Sequence, residues 1–202
     1  MGDMVINPVL DDIGRALIVD VETTGLNPSK DEIVELAWIL FTFCRTTGEI
    51  LGIIDTYSGL REPTTPIPSP ATAIHGITNA MVQGQTLDGP RIAWAFNQAE
   101  CVIAHSAAFD QAFITRLDPS LPHKVWGCSL RQIPWTHYGY PSRRLHNLLQ
   151  EHGLSDLGRA HRALNDCFAL ITLLRQRNGN GDYHLATLLQ HMASKSSRTT
   201  LP

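Results

Sequence analysis

The chain has 202 residues, 43% of them hydrophobic and 17% charged, with a formal net charge of −3. That length suits one domain with a full core, and the composition excludes a disordered chain. The mild acidity argues against a protein that coats long nucleic acid, which is usually basic, and no apolar run approaches the ~18 residues needed to cross a bilayer.

The first ten residues, MGDMVINPVL, are acidic and carry no small-residue cleavage site, so no secretory leader is expected. Ile6 stands where a myristoylation signal would place Ser or Thr. Residues 15–21 (RALIVDV) form a short apolar run rich in β-branched residues, the pattern of a buried strand, which Thr23-Thr24-Gly25 then breaks. Residues 32–44 (EIVELAWILFTFC) predict a second strand, and Thr46-Thr47-Gly48-Glu49 a hairpin turn into a third near 50–57. Pro63, Pro66, Pro68 and Pro70 make 59–70 an extended loop, and Ser69-Pro70 opens a helix. Pro90 opens another, with Ile92, Ala95, Phe96 and Ala99 on one face. A short strand at 101–104, a helix at 109–117 and a helical stretch at 144–152 follow. Between about 160 and 176, Leu164, Cys167, Phe168, Ile171 and Leu174 mark the clearest amphipathic helix. Early hairpin strands followed by alternating helices and strands indicate an α/β fold with a central mixed β-sheet flanked by helices. Residues 1–177 are expected as one domain. Residues 178–202 are expected as a linker (Asn178-Gly179-Asn180-Gly181), a short helix at 183–192 and a frayed Ser/Thr-rich tail.

Cys44, Cys101, Cys128 and Cys167 lack C-x-x-C spacing and are expected as reduced core thiols of a cytoplasmic protein. Charge is unevenly spread. Residues 1–60 carry ten acids and three bases, whereas 124–162 hold Lys124, Arg131, Arg143, Arg144, Arg159 and Arg162 against Glu151 and Asp156. An acidic region gathers metals while a basic one steers phosphates toward them.

Three stretches carry the chemistry: DVETTGL at 20–26, HSAAFD at 105–110 and HRALND at 161–166. Asp20 and Glu22, two apart at a strand exit, point to the same side. Paired carboxylates repel unless a cation lies between them, and hard oxygen donors favour Mg²⁺ or Mn²⁺ over zinc. Asp110 follows Phe109 at a helix start, where it serves equally as an N-cap. Asp166 lies off the apolar stripe of its helix. His161 precedes it by five residues, about 140° around an ideal helix, so it belongs in the loop or first turn, within swing of a water. The set Asp20, Glu22, Asp110, Asp166 and His161 points to phosphodiester hydrolysis with two divalent metals.

In this order the three segments resemble the motifs of the DEDDh family, the DnaQ-like 3′–5′ exonucleases with a ribonuclease-H-like fold, over roughly residues 15–177. DVETTGL with DEIVELA at 31–37 matches the first motif, and His161 with Asp166 matches the third. The resemblance implies metal binding by Asp20 (bridging both ions), Glu22, Asp166 and Asp110, with His161 as general base. It also implies substrate contacts from Thr23, Thr24, Gly25 and Leu26, from His75 in AIHGIT at 73–78, and from His105, Ser106 and Phe109. Ser106 replaces the family's usual Asn, which puts the terminal-nucleotide contacts of that segment in doubt. The implied partners are single-stranded nucleic acid 3′ ends, DNA ahead of RNA, with no membrane and an undecided polymerase or homodimer partner. Other readings are an exoribonuclease or oligoribonuclease, a proofreading subunit and a non-catalytic binding module. A zinc hydrolase built from His105, His146, His152 and His161 ranks lower because the spacings match no familiar ligand pattern. Trp38, Trp94, Trp126 and Trp135 are expected in the core, with Tyr138 and Tyr140 the better candidates for touching a base.

Overall fold

The structure, a computed structural model, describes residues 12–154 and 161–196. The expectations for the first ten residues, for Asp156 and Arg159, and for the chain end beyond 196 lie outside the described residues.

Five strands form one sheet: β1 (Ile13–Thr23), β2 (Ile33–Cys44), β3 (Ile50–Leu60), β4 (Cys101–Ala104) and β5 (Val125–Cys128), in the order β3-β2-β1-β4-β5. β1 pairs antiparallel with β2 and parallel with β4, so the sheet is mixed, as the element pattern predicts. The short helices α1 (Ser69–His75) and α2 (Asn79–Val82) follow β3, and α3 (Gly89–Gln98) precedes β4. The longer α4 (Ala107–Leu117) links β4 to β5, and α5 (Ser129–Gln132), α6 (Leu145–Glu151), α7 (Ala163–Leu174) and α8 (His184–Ser196) complete the fold.

Alternation along β1 and β2 divides the core. Leu17, Val19, Val21, Leu36, Trp38 and Leu40 pack on one face against Ile92 and Phe96 of α3 and Phe113 and Ile114 of α4. Ala16, Ile18, Ala37, Ile39 and Phe41 pack on the other, beneath Leu148 of α6, Cys167 and Leu170 of α7, and Leu185, Leu188 and Met192 of α8. A period of two puts Asp20, Glu22 and Glu35 on this second face, under the start of α7.

The structure adds short elements to this reading and changes one expectation, that of the tryptophans. Strand β5 and the one-turn helices α2 and α5 escape a reading by periodicity, because four residues such as VWGC complete no pattern. The short helix expected at 183–192 is present as α8, which buries its apolar stripe in the main core, and Arg177 bridges to Tyr183 across the expected linker. Trp94 is 42% exposed and Trp126 only partly buried, leaving Trp38 and Trp135 as the fully buried pair.

The edge strand β3 departs from regular pairing twice. Leu40 faces Asp55 while Phe41 faces Ile53, and Thr42 faces Gly52 while Phe43 faces Ile50, so Ile54 and Leu51 are each an extra residue. Both side chains are exposed.

At the β2–β3 turn, Gly48 has φ +72° and packs on the backbone of α8; a Cβ there would lie 2.5 Å from the Ala186 nitrogen. Gly48→Ala should therefore destabilise by at least the left-handed backbone cost, about 1–2 kcal/mol, and loosen α8. Thermal melts and amide exchange in α8 measure both effects. Gly52→Ala, where the nearest atom is Thr42 Oγ1 at 3.9 Å, is the control expected to leave α8 docked.

Candidate active site

The site lies at the end of β1, where three elements deliver acids to one cleft of about 610 Å³. β1 supplies Asp20 and Glu22, α4 supplies Asp110 and α7 supplies Asp166. A bulge sits here too. Glu22 faces Glu35 and Thr23 faces Ile33, leaving Val34 as the extra residue of β2 beside the acids. Asp110 occupies the first turn of α4, whose N-cap position is Ser106, so the N-cap reading of Asp110 does not hold. Its buried carboxyl is turned inward and accepts from the Val21 backbone.

Single ligand atoms of Glu22, His161 and Asp166 lie within 4.8 Å of one another. His161 is exposed just before α7 and has φ +60°, the sole non-glycine positive φ among the described residues. A left-handed histidine is strained, and such strain collects at functional sites. The placement before the helix agrees with the five-residue spacing to Asp166.

Electrostatics mark the same place. Asp20 keeps some surface open to the cleft, but its carboxyl is enclosed, and burial pushes its pKa well above the ordinary range. The charges of Asp110, Asp166, Glu22 and Glu35 push the same way. Burial, then Asp166, Glu35 and Asp110, push Glu22 up to about 8, against the pull of Arg162. Burial raises Asp110 to about 7. Asp166 is raised by burial and eased by its hydrogen bond from His146. Acids that resist ionising together are relieved by a cation between them, and an oxygen-rich set suits a hard divalent ion. The donor set therefore fits divalent metal.

Two arrangements escape sequence reasoning. Glu35, 1% exposed, is gripped by Arg162, with Nε to Oε2 at 3.0 Å and Nη2 to Oε1 at 2.9 Å. The same carboxylate accepts from Ala163 N–H at 3.1 Å and Ser58 Oγ at 3.1 Å, pinning the first turn of α7 to the sheet. Arg162 is thus a strut rather than a free charge, whereas Arg144 is exposed and lines the cleft. The quoted segments DEIVELA and HRALND contain both partners, but nothing in either shows that they meet. The second arrangement is His146, whose Nε2 lies 3.0 Å from Asp166 Oδ1.

A second pocket of about 320 Å³ adjoins the first and shares Val21, Glu22 and Phe109 with it. Thr23, Thr24, Gly25, Leu26 and His75 line it, with Leu26 84% exposed. The turn is built tightly. Thr23 Oγ1 donates to Gly25 O, Thr24 Oγ1 accepts from Glu32 N–H, and a Cβ on Gly25 would fall 2.5 Å from Asp31 Oδ2. His75 Nδ1 accepts from Ile77 N–H, which puts the proton on Nε2, a buried nitrogen without a hydrogen-bond partner among the described residues.

His105 and Ser106 line the acidic cleft. Both His105 nitrogens are used internally: Nε2 donates to Arg143 O at 3.0 Å and Nδ1 accepts from Ser129 Oγ at 2.8 Å. Burial lowers its pKa to about 4. The ring thus lines the cleft while bracing β4 against the 143–144 loop. The expectation for Tyr138 and Tyr140 is corrected. They pack on the core, Tyr140 stacked on His152 at 4.4 Å and Tyr138 against His184 at 5.8 Å, which removes them from base contact. His152 is committed to Leu148 O and His184, so the four-histidine zinc set does not assemble.

The raised carboxyl pKa values set the sign of a pH effect. Between about pH 4 and pH 8, the range spanned by the ordinary and raised values, the unfolded chain has released protons that the folded chain retains. Without divalent ions, melting temperature should fall as pH rises from about 6.5 to 8, above the range in which the lowered pKa of His105 and His184 acts the opposite way, and Mn²⁺ should raise it more at pH 8 than at pH 6.5. Scanning fluorimetry over that range tests this; a metal-free profile that is flat or rising would contradict it.

Comparison with known proteins follows the same lines. The exonuclease family model RNase T matches residues 17–174. Exodeoxyribonuclease 10 of Escherichia coli K12 is 34% identical over 166 residues, 78% of this chain and 66% of that protein. DNA polymerase III subunit epsilon of Treponema pallidum is 29% identical over 181 residues, 82% of this chain and 78% of that protein. PolC-type DNA polymerase III of Clostridium perfringens is 30% identical over 164 residues, 79% of this chain, but the chain spans 11% of that polymerase's length. Exonuclease X in complex with 5′ overhanging duplex DNA superposes with a TM-score of 0.58 at 25% identity, covering 90% of this chain and 93% of that one. The nuclease domain of 3′hExo, a DEDDh family member bound to rAMP, shares the fold, with a TM-score of 0.61 at 19% identity over 79% and 89% of the two chains. Motif order, mixed sheet and clustered acids converge on one assignment: the chain belongs to the RNase T exonuclease family, in its DEDDh, DnaQ-like group.

Proposed function

We propose that the chain is a metal-dependent 3′–5′ exonuclease that shortens single-stranded DNA or DNA 3′ ends and releases nucleoside 5′-monophosphates. The observation that carries this reading is the meeting of Asp20, Glu22, Asp110, Asp166 and His161 in one cleft that opens directly into the pocket beneath Leu26. Asp20, Glu22, Asp110 and Asp166 would hold two Mg²⁺ or Mn²⁺ ions. Such ions, when bound, make water more acidic and neutralise charge that builds on the phosphate.

The remaining roles belong to the protein. His161, exposed beside the acids, accepts the proton of the attacking water on a ring nitrogen. Leu26 presents an apolar surface to the terminal base, and the braced Thr23–Gly25 turn holds the 3′ end beside the acids. Phe109, shared by both pockets, lies where the last two nucleotides would part. Gripping a few terminal nucleotides needs few phosphate contacts, which suits a net charge of −3. The relative named exodeoxyribonuclease, together with exonuclease X caught on duplex DNA, favours DNA over RNA.

A proofreading role beside a polymerase is the second reading, supported by the relatives named as polymerase III epsilon and PolC. Among the described residues no helix is long and apolar enough to cross a membrane, and the four cysteines are free thiols. Free thiols suit a reducing compartment such as the cytoplasm.

End-labelled single-stranded DNA, duplex DNA and RNA, incubated with Mn²⁺ beside an Asp20→Ala control, should show stepwise loss from the 3′ end of DNA. Faster digestion of RNA would replace the reading with an exoribonuclease, and no hydrolysis at all with a binding module. His161→Ala should lose about 10²–10⁴-fold in turnover yet still bind Mn²⁺, whereas Asp166→Ala should lose both. Wild-type turnover in His161→Ala would discard the base role.

A further inference from the structure

We propose that His146 is a positioning residue for the metal site: its Nε2–H, 3.0 Å from Asp166 Oδ1, fixes the orientation of a carboxylate that has an oxygen within 4.8 Å of ligand atoms of Glu22 and His161. The inference rests on the metal-dependent reading above and adds a residue outside the three acid-bearing motifs.

Geometry gives His146 a fixed base. It is the second residue of α6, and its neighbours Leu145, Leu148 and Leu149 are buried in the core that also holds α7. The loop entering α6 is tied down from two sides. Ser142 Oγ accepts from Asn147 Nδ2 at 3.0 Å and from Arg144 N–H at 3.3 Å, while Arg143 O accepts from His105 Nε2 at 3.0 Å. The ring therefore reaches Asp166 from a rigid helix end rather than from a mobile loop.

Chemistry gives the contact its purpose. A carboxylate has two oxygens, and one held by a nitrogen donor leaves the other with a defined direction. Asp166 lies against Glu22, whose charge would otherwise turn it away. Hydrogen bonds to ligating carboxylates set metal affinity, and their loss typically costs 10–100-fold. His146 is separated from His161 by 6.2 Å between ring centroids, so the two rings flank Asp166 without overlapping in role: one faces the attacking water, the other holds the acid. The side chain is 36% exposed, so its removal leaves no large cavity and the variant should fold.

The test uses the full chain and Mn²⁺ alone. Titration calorimetry should show His146→Ala binding Mn²⁺ about 10–100-fold more weakly, with His146→Gln, whose amide N–H reaches a similar point, within a few-fold of wild type. In single-stranded DNA hydrolysis, His146→Ala should need correspondingly more Mn²⁺ for half-maximal rate while kcat at saturating Mn²⁺ changes little. Unchanged Mn²⁺ affinity in His146→Ala overturns the proposal, as does an equal loss in His146→Gln. A fall in kcat with unaltered metal dependence also overturns it, by placing His146 on the substrate. If wild type binds Mn²⁺ but cleaves no nucleic acid, the exonuclease reading fails while the calorimetry still decides the role of His146. If wild type binds no Mn²⁺, the role of His146 falls as well.

Discussion

Mutual repulsion among Asp20, Glu22, Asp110 and Asp166 is the constraint around which the rest of the fold is arranged, because four acids at one sheet end tend to push their elements apart. Burial compounds the repulsion, and the site answers by holding protons far above the usual carboxylate range. The surroundings oppose the spreading at each element. The Glu35–Arg162 grip ties α7 to β2, backbone N–H groups receive Asp110, and His146 restrains Asp166. Removing one partner of a buried ion pair costs more than the pair itself contributes. The Arg162 end is partly open to solvent, which softens that cost, yet it is the link between the sheet and the start of the helix that carries Asp166.

On the exonuclease reading proposed above, the two adjoining pockets would divide the work of recognition. One is lined by acids and is of use to a nucleic acid only when cations offset its charge; the other is framed by Leu26, Ile74 and Phe109 and offers apolar surface to a base. Glu22 lines both, so on that reading the position of the terminal nucleotide would be linked to the geometry of the acids. His75, buried, lines the second pocket without reaching the acidic cleft.

Much of this is legible in the sequence because β1 and α7 each carry a complete pattern. Asp20 and Glu22 share a face by strand alternation, and His161 is forced off the helix by its five-residue distance from Asp166. The fold class follows from the same patterns. What escapes reading is tertiary. Nothing in LHNLL says that His146 meets an acid twenty residues away, and VWGC is recognisable as a strand only once β4 is beside it. Arg162 looks like surface charge until Glu35 is placed opposite. Tyr138 and Tyr140 read as loop residues near a basic stretch, but a histidine–aromatic cluster around Trp135 draws them inward.

The doubled irregularity of β3 bears on how these molecules behave in company. An outermost strand normally offers a ladder of unpaired amides and carbonyls onto which a neighbour's strand can zip. Here the spare residues Leu51 and Ile54 twist that ladder out of step within a span of four positions. Greasy side chains thus face water along a border that is a poor template for further sheet growth. The protein carries its own guard against runaway stacking at the flank opposite β5.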